Sequence, residues 1–105
     1  MKKTEITKLI DVMKKLRDPI NGCPWDKKQT MESIIPHTIE EVYEVAEQVY
    51  SRNYDQLKDE LGDLLFQVIY LSQIASEKNK FNFNDVVKNI TEKMIFRHPH
   101  VFKNK

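Results

Sequence analysis

The sequence predicts an all-α fold, a bundle of four to five helices completed by oligomerisation, and three observations carry that prediction. Only 2 glycines and 4 prolines punctuate the 105 residues. Between them apolar residues recur at three- and four-residue steps, the period of a helix face rather than of a strand. One segment, residues 54–77, is apolar nearly all round and belongs at a centre. A chain of this length is expected to be one domain, residues 1–105, built on a single core.

The first helix is expected over about Thr4 to Arg17, where Ile6, Leu9, Ile10, Met13 and Leu16 share a face. "DPINGCPWD" stops it, because Pro19 and Pro24 oppose helix continuation and Asn21-Gly22 is turn chemistry. The second helix starts near Thr30 and runs to about Ser51. Pro36 either kinks it or divides it into a short helix and a longer one. Ile39, Val42, Tyr43, Ala46, Val49 and Tyr50 form its apolar stripe. Asn53 with Gln56 three residues later resembles a capping box. The third helix is expected from about Tyr54 to Glu77. Asn82 would cap the fourth, with Phe81 and Val86 at the spacing of a hydrophobic staple, and Pro99 would end it.

Composition narrows the partners. Seventeen basic and 16 acidic residues nearly cancel to +1, so neither a nucleic acid nor an anionic membrane is expected as partner. Cys23 is the only cysteine, so no internal disulfide forms, which fits a reducing cytoplasm. "MKKTEITKLIDVMKK" lacks the apolar core of a signal peptide. No run approaches the roughly 18 to 20 apolar residues of a membrane span. A soluble cytoplasmic protein is expected.

On the third helix Leu57, Leu61, Leu64, Leu65, Val68 and Ile69 form a broad arc, which Phe66, Tyr70 and Ile74 extend around the back. Four short helices can hardly cover every side of one of them, so a homo-oligomer, dimer or tetramer, is expected. Within this wall, "ELGDLLFQVIYL" places Glu60 and Asp63 in neighbouring directions, with Gln56 and Gln67 roughly in line. Gly62 is read as letting a neighbouring helix approach closely. Ionised carboxylates buried without partners are so costly that they neutralise or find a cation.

The second helix carries "IEEVYEVAEQ", with Glu41 and Glu44 at the same spacing and Glu40 and Glu47 nearby. These acids lie opposite their helix's apolar stripe, where a solvated acidic face would also lie. A short connection makes the two helices antiparallel neighbours, so that E-x-x-E and E-x-x-D can face each other. Oxygen-only ligands from two carboxylate pairs suit Mg2+ or Mn2+. Zinc would want histidine or thiolate, and the Glu-x-x-His spacing of di-iron bundles is missing.

Four blocks in order, "LRDPINGCPWDKKQT", "EEVYE", "DELGDLLFQV" and "RHPHVF", resemble the MazG-type nucleoside triphosphate pyrophosphohydrolase domain. The resemblance covers about Leu16 to Phe102. It implies an all-helical, magnesium-dependent enzyme that hydrolyses a nucleoside triphosphate to the monophosphate and pyrophosphate. It implies that Glu41, Glu44, Glu60 and Asp63 bind magnesium and that Glu40 assists or positions water. Lys93 and Arg97 match basic positions used for phosphates; a surface pair is the alternative. Trp25 and Asp26 match a nucleotide-proximal loop in which an aromatic covers a base, while a tryptophan there can also plug the end of a small core. Lys27, Lys28 and Gln29 reach phosphates or base edges, or are solvated. Gln56 stands where some members carry a basic residue, one turn before Glu60. Many members contain two such domains, and this chain holds one.

Pro99 breaks the helix between His98 and His100, so both are read as capping its end or bonding backbone rather than metal. His37 and Cys23 are read as structural. Two further functions fit the same pattern: a deoxyuridine or deoxycytidine triphosphatase of narrow base choice, and a non-catalytic helical module whose acidic groove binds a basic partner.

Overall fold

The computed structural model describes residues 2–102. Five helices follow one another: α1 (Glu5–Leu16), α2 (Met31–Ser51), α3 (Tyr54–Glu77), α4 (Phe83–Arg97) and the single turn α5 (Pro99–Phe102), with a short 3₁₀ turn at Asp26–Lys28 before α2. No strand occurs among the described residues.

Thr4 caps α1 by accepting the Thr7 N–H at 3.2 Å. The chain then folds back tightly. Asp18 Oδ1 accepts the Ile20 N–H at 2.9 Å, Gly22 N–H donates to Asp18 O at 2.8 Å, and Cys23 N–H donates to Leu16 O at 2.9 Å. A Cβ on Gly22 would stand 2.4 Å from Asp18 O and 2.5 Å from Leu16 O. These are backbone atoms that cannot step aside. Gly22→Ala is therefore expected to cost about 1–3 kcal/mol in urea unfolding, the range of an overpacked site.

A reciprocal capping box starts α2: Ser33 N–H donates to Thr30 Oγ1 at 3.1 Å, and Thr30 N–H donates to Ser33 Oγ at 2.8 Å. Pro36 does not divide the helix. It sits in the second turn, so it forfeits one intrahelical bond, which the capped first turn and the packing of Ile34 outweigh. Arg52 ends α2 in the left-handed conformation, φ 58°, and Asn53 caps α3 by accepting the Gln56 N–H at 3.2 Å. Only this half of the expected Asn53/Gln56 box forms. The Asn53 N–H is already taken by Gln48 O at 3.2 Å. The Asn82 cap of α4 is complete, with Asp85 returning a carboxylate oxygen to the Asn82 N–H at 2.9 Å. At the far end of α4, His98 Nδ1 lies 2.6 Å from Met94 O, as expected of a histidine capping a helix end.

The two-residue connection makes α2 and α3 antiparallel, and theirs is the main helix contact. Thr38 Oγ1 lies 3.0 Å from Gln67 Oε1 and fixes the register. Three residues on along α2 and four back along α3 stand Glu41 and Asp63.

Met13, Ile34, Ile69, Tyr70 and Ile74 form the core, with Leu9, Ile10, Phe66 and Phe83 against it. Tyr70 and Ile74, expected behind the apolar arc, are at its centre. Within one chain, only Ile69 and Tyr70 of residues 60–71 are buried, and Leu61 is 48% exposed. The core residues of α1 and α4 meet the second half of α3, leaving its first half covered on the α2 side alone. No helix of the same chain approaches Gly62: beyond its own helix backbone, nothing lies within 4 Å of a Cβ placed there. Gly62→Ala is expected to stabilise the chain in urea by about 1 kcal/mol, the helix-interior cost of glycine.

The acidic side of α2 faces α3, so its apolar stripe points outward. Ile39, Val42, Tyr43 and Val49 are exposed, and Tyr50 is 85% exposed. The radius of gyration, 16.3 Å, exceeds the roughly 13 Å of a compact domain of about 100 residues.

Candidate active site and metal cradle

The α2–α3 register brings together three of the four predicted ligands. Glu41, Glu60 and Asp63 each present a carboxylate oxygen, and these oxygens lie within 4.8 Å of one another. Glu41 Oε1 is buried with no hydrogen-bond partner. Burial pushes the Glu41 carboxyl up to about 7 from 4.5, reinforced by its contact with Glu60 and by the charges of Asp63, Glu60 and Glu44. Burial, opposed by the Glu41 contact and helped by the charges of Glu44 and Asp63, also raises Glu60. Glu44 thus stands close enough to act on both, although it lies outside the tightest group. Among the described residues the salt bridges join Lys3 to Asp11, Lys8 to Glu5 and Arg17 to Glu77, none of them in this cluster.

The donor set fits a hard divalent cation. Three carboxylates offer oxygen ligands only, and the orphaned Glu41 Oε1 is a buried acceptor that calls for a positive partner. Without a cation the cluster relieves its repulsion by keeping a proton.

The other predicted site residues are dispersed. Glu40 points to solvent beside Glu41. Lys93 and Arg97 are exposed on α4, which packs on α3. Trp25 is 51% exposed, and its ring meets the exposed His37 edge-on at 5.8 Å. Lys27 donates to Pro19 O at 3.2 Å. Lys27 and Lys28 line an open cleft of about 800 Å³ with Lys14, Asp18, Gln73 and Glu77. No residue of the carboxylate cluster lines it. Gln29 Nε2 donates to Trp25 O at 2.9 Å and Gln29 Oε1 accepts from Ser33 Oγ at 2.7 Å, so this side chain braces the loop.

Asp26 is also braced. The Tyr70 hydroxyl lies 2.9 Å from its carbonyl oxygen and 3.0 Å from Oδ1. Burial, then the hydrogen bond and charge of Asp26, drive the Tyr70 phenol far above its ordinary value. Sequence reasoning missed Arg17, Glu77 and Tyr70 around this loop. One signal for Tyr70 was available: a phenol in an aliphatic run needs a buried partner.

Two antiparallel helices presenting an oxygen-only carboxylate cluster define an all-helical bundle with a candidate cation site between α2 and α3. The chain belongs to the family of the MazG nucleotide pyrophosphohydrolase domain, whose family model matches residues 29–102. It is 51% identical over 98 residues to the nucleoside triphosphate pyrophosphohydrolase of Escherichia coli K12, covering 93% of this chain and 37% of that protein. It is 51% identical over 94 residues to the nucleoside triphosphate pyrophosphohydrolase/pyrophosphatase MazG of Thermotoga maritima, covering 90% of this chain and 36% of that one. The chain thus spans little more than a third of these relatives' length. The crystal structure of a mazG-related protein from Thermotoga maritima superposes with a TM-score of 0.76 at 25% identity, covering 94% of this chain and 84% of that one.

Proposed function

We propose that this domain hydrolyses nucleoside triphosphates to the monophosphate and pyrophosphate with Mg2+, or Mn2+ in its place, and so clears unwanted nucleotides from the pool. The observation that carries the reading is the buried, unpartnered Glu41 Oε1 within a cluster of three carboxylates. Water adds at phosphorus and the bridge between the α and β phosphates breaks, so one water is consumed per pyrophosphate released. Glu41, Glu60 and Asp63, with Glu44 beside them, hold the cation. When bound, it supplies positive charge against the phosphate oxygens that gather charge during transfer. Glu40 assists or positions the water. Lys93 and Arg97 bring positive charge to the phosphates, and Trp25 offers an apolar face to the base.

The functional form is a homo-oligomer. The outward stripe of α2 and the open first half of α3 together expose Ile39, Val42, Val49, Leu61 and Leu65. A second copy that covers them removes this apolar surface from water, the main favourable term in association. No helix among the described residues is long and apolar enough to cross a membrane.

The test is purified protein with a panel of ribo- and deoxynucleoside triphosphates and Mg2+. Monophosphate and pyrophosphate in equal amounts are expected, along with a light-scattering mass of at least two chains. If no triphosphate yields them and Glu60→Gln behaves identically, the hydrolase reading is wrong. A monomeric mass removes the oligomer.

A further inference from the structure

The loop that carries Trp25 is held by a network the proposed chemistry leaves unused. Arg17, at the end of α1, donates from Nε to Glu77 Oε2 at 2.8 Å and from Nη2 to Glu77 Oε1 at 2.7 Å. Its Nη1 donates to two backbone carbonyls of the loop, Asp26 O at 2.7 Å and Gln29 O at 3.0 Å. The guanidinium carbon lies 5.7 Å from the centre of the Tyr70 ring, and the Tyr70 hydroxyl reaches the same Asp26 carbonyl oxygen at 2.9 Å and Asp26 Oδ1 at 3.0 Å. The Arg17 side chain is only 8% exposed. A charge so enclosed is tolerated when its donors are matched, and here the fork meets a carboxylate on one edge and two carbonyls on the other.

This fastening fixes where Trp25 stands relative to the carboxylates. Trp25 meets His37 edge-on, and His37 precedes Glu41 by one turn of α2. On α3, Tyr70 lies seven residues beyond Asp63, about 10 Å along the axis at ~1.5 Å per residue. That separation is of the order of one extended nucleotide.

We propose that Arg17, Glu77 and Tyr70 form a clamp that positions the Trp25–Gln29 segment to receive the nucleoside end of the substrate. They are positioning residues: loosening them weakens substrate binding and leaves the cation cradle intact. The inference rests on the hydrolase reading above.

Trp25 is the only tryptophan, so its fluorescence reports the loop independently of turnover. The test compares wild type with Tyr70→Phe, which keeps the ring in the core and removes the hydroxyl, and with Arg17→Lys, which keeps the charge but not the fork. Glu77→Gln serves as a third variant should either fail to melt cooperatively. Expected are a KM raised about three- to tenfold, the scale of one or two lost hydrogen bonds, a kcat within about twofold of wild type, an unchanged half-saturating Mn2+ concentration, and greater acrylamide quenching of Trp25. The clamp is overturned if wild type turns over and the folded variants keep its KM. It is equally overturned if KM rises without a change in quenching, or if kcat falls at constant KM. A wild type that hydrolyses no triphosphate removes the hydrolase reading, and the clamp's substrate role with it.

Discussion

Replacing Glu41 by glutamine is expected to abolish Mg2+-dependent hydrolysis and, in the same protein, to raise the melting temperature at pH 8 in EDTA. Both effects come from one atom group. Glu41 is half-buried in the cluster, as Glu60 is, but its Oε1 has no partner, and burial together with its neighbours opposes its charge. An amide has the same shape and no charge, so it relieves the repulsion from Glu60, Asp63 and Glu44 that an ionised Glu41 meets at pH 8. A gain of about 1 kcal/mol would appear as roughly 4–8 °C in a domain of this size. The same change removes a charged ligand from the cradle. Activity should drop by about a hundredfold to a thousandfold or more, the scale of losing one electrostatic stabiliser of developing charge. A stabilised but inactive variant is the signature of a site kept strained for function. Differential scanning fluorimetry and a pyrophosphate-release assay on one preparation check both halves. An active Glu41→Gln enzyme would remove Glu41 from the cradle, and a lower melting temperature would contradict the repulsion.

The second large effect is on pH. Folded Glu41 keeps its proton up to about 7, whereas the unfolded group loses it near 4.5. Between those values the folded state binds more protons, so the stability of the metal-free protein falls as pH rises. Glu60, also raised, acts in the same direction. Glu77 acts oppositely: the Arg17 hydrogen bonds hold it below the usual value, so its contribution is present above 4.5 and is lost as pH falls further. Metal-free protein should therefore be most stable on the acid side and lose melting temperature between about pH 5 and 8. Mg2+ must displace the proton on Glu41, so its affinity should climb towards pH 7, by at most about tenfold per unit for one proton, and then level off. Mg2+ should accordingly restore the melting temperature at pH 8 and do little at pH 5. Melts from pH 5 to 8.5, with EDTA and with Mg2+, decide this; a melting temperature rising steadily with pH in EDTA would refute the protonated cluster.

Much of the fold and of the cradle was legible in the chain because it follows from local rules. Helix ends obey residue chemistry that acts over a few positions: Thr4, Asn53 and Asn82 cap where their side chains reach a nearby N–H. Carboxylates three apart share a helix face whatever surrounds them. A two-residue connection forces α2 and α3 antiparallel, so Glu41 meets Glu60 and Asp63. Pro36 was the ambiguous local signal, and its place in the second turn settled it in favour of a continuous helix.

What the sequence could not determine are quantities that depend on distant neighbours. Periodicity marks the apolar residues of α2 and α3 but not which side meets the partner helix, and the acids won that side on α2, turning Tyr43 and Tyr50 outward. Gly62 could not be placed, since close approach is a property of another element, and none of the same chain comes within 4 Å. The Arg17–Glu77 pair joins residues 60 apart, and no spacing rule connects a residue closing α1 to one closing α3. Local propensity and helical period determined the elements and the carboxylate pairs. Tertiary packing alone decided which of those carboxylates is desolvated enough to keep its proton, because burial is a sum over every element that surrounds a side chain.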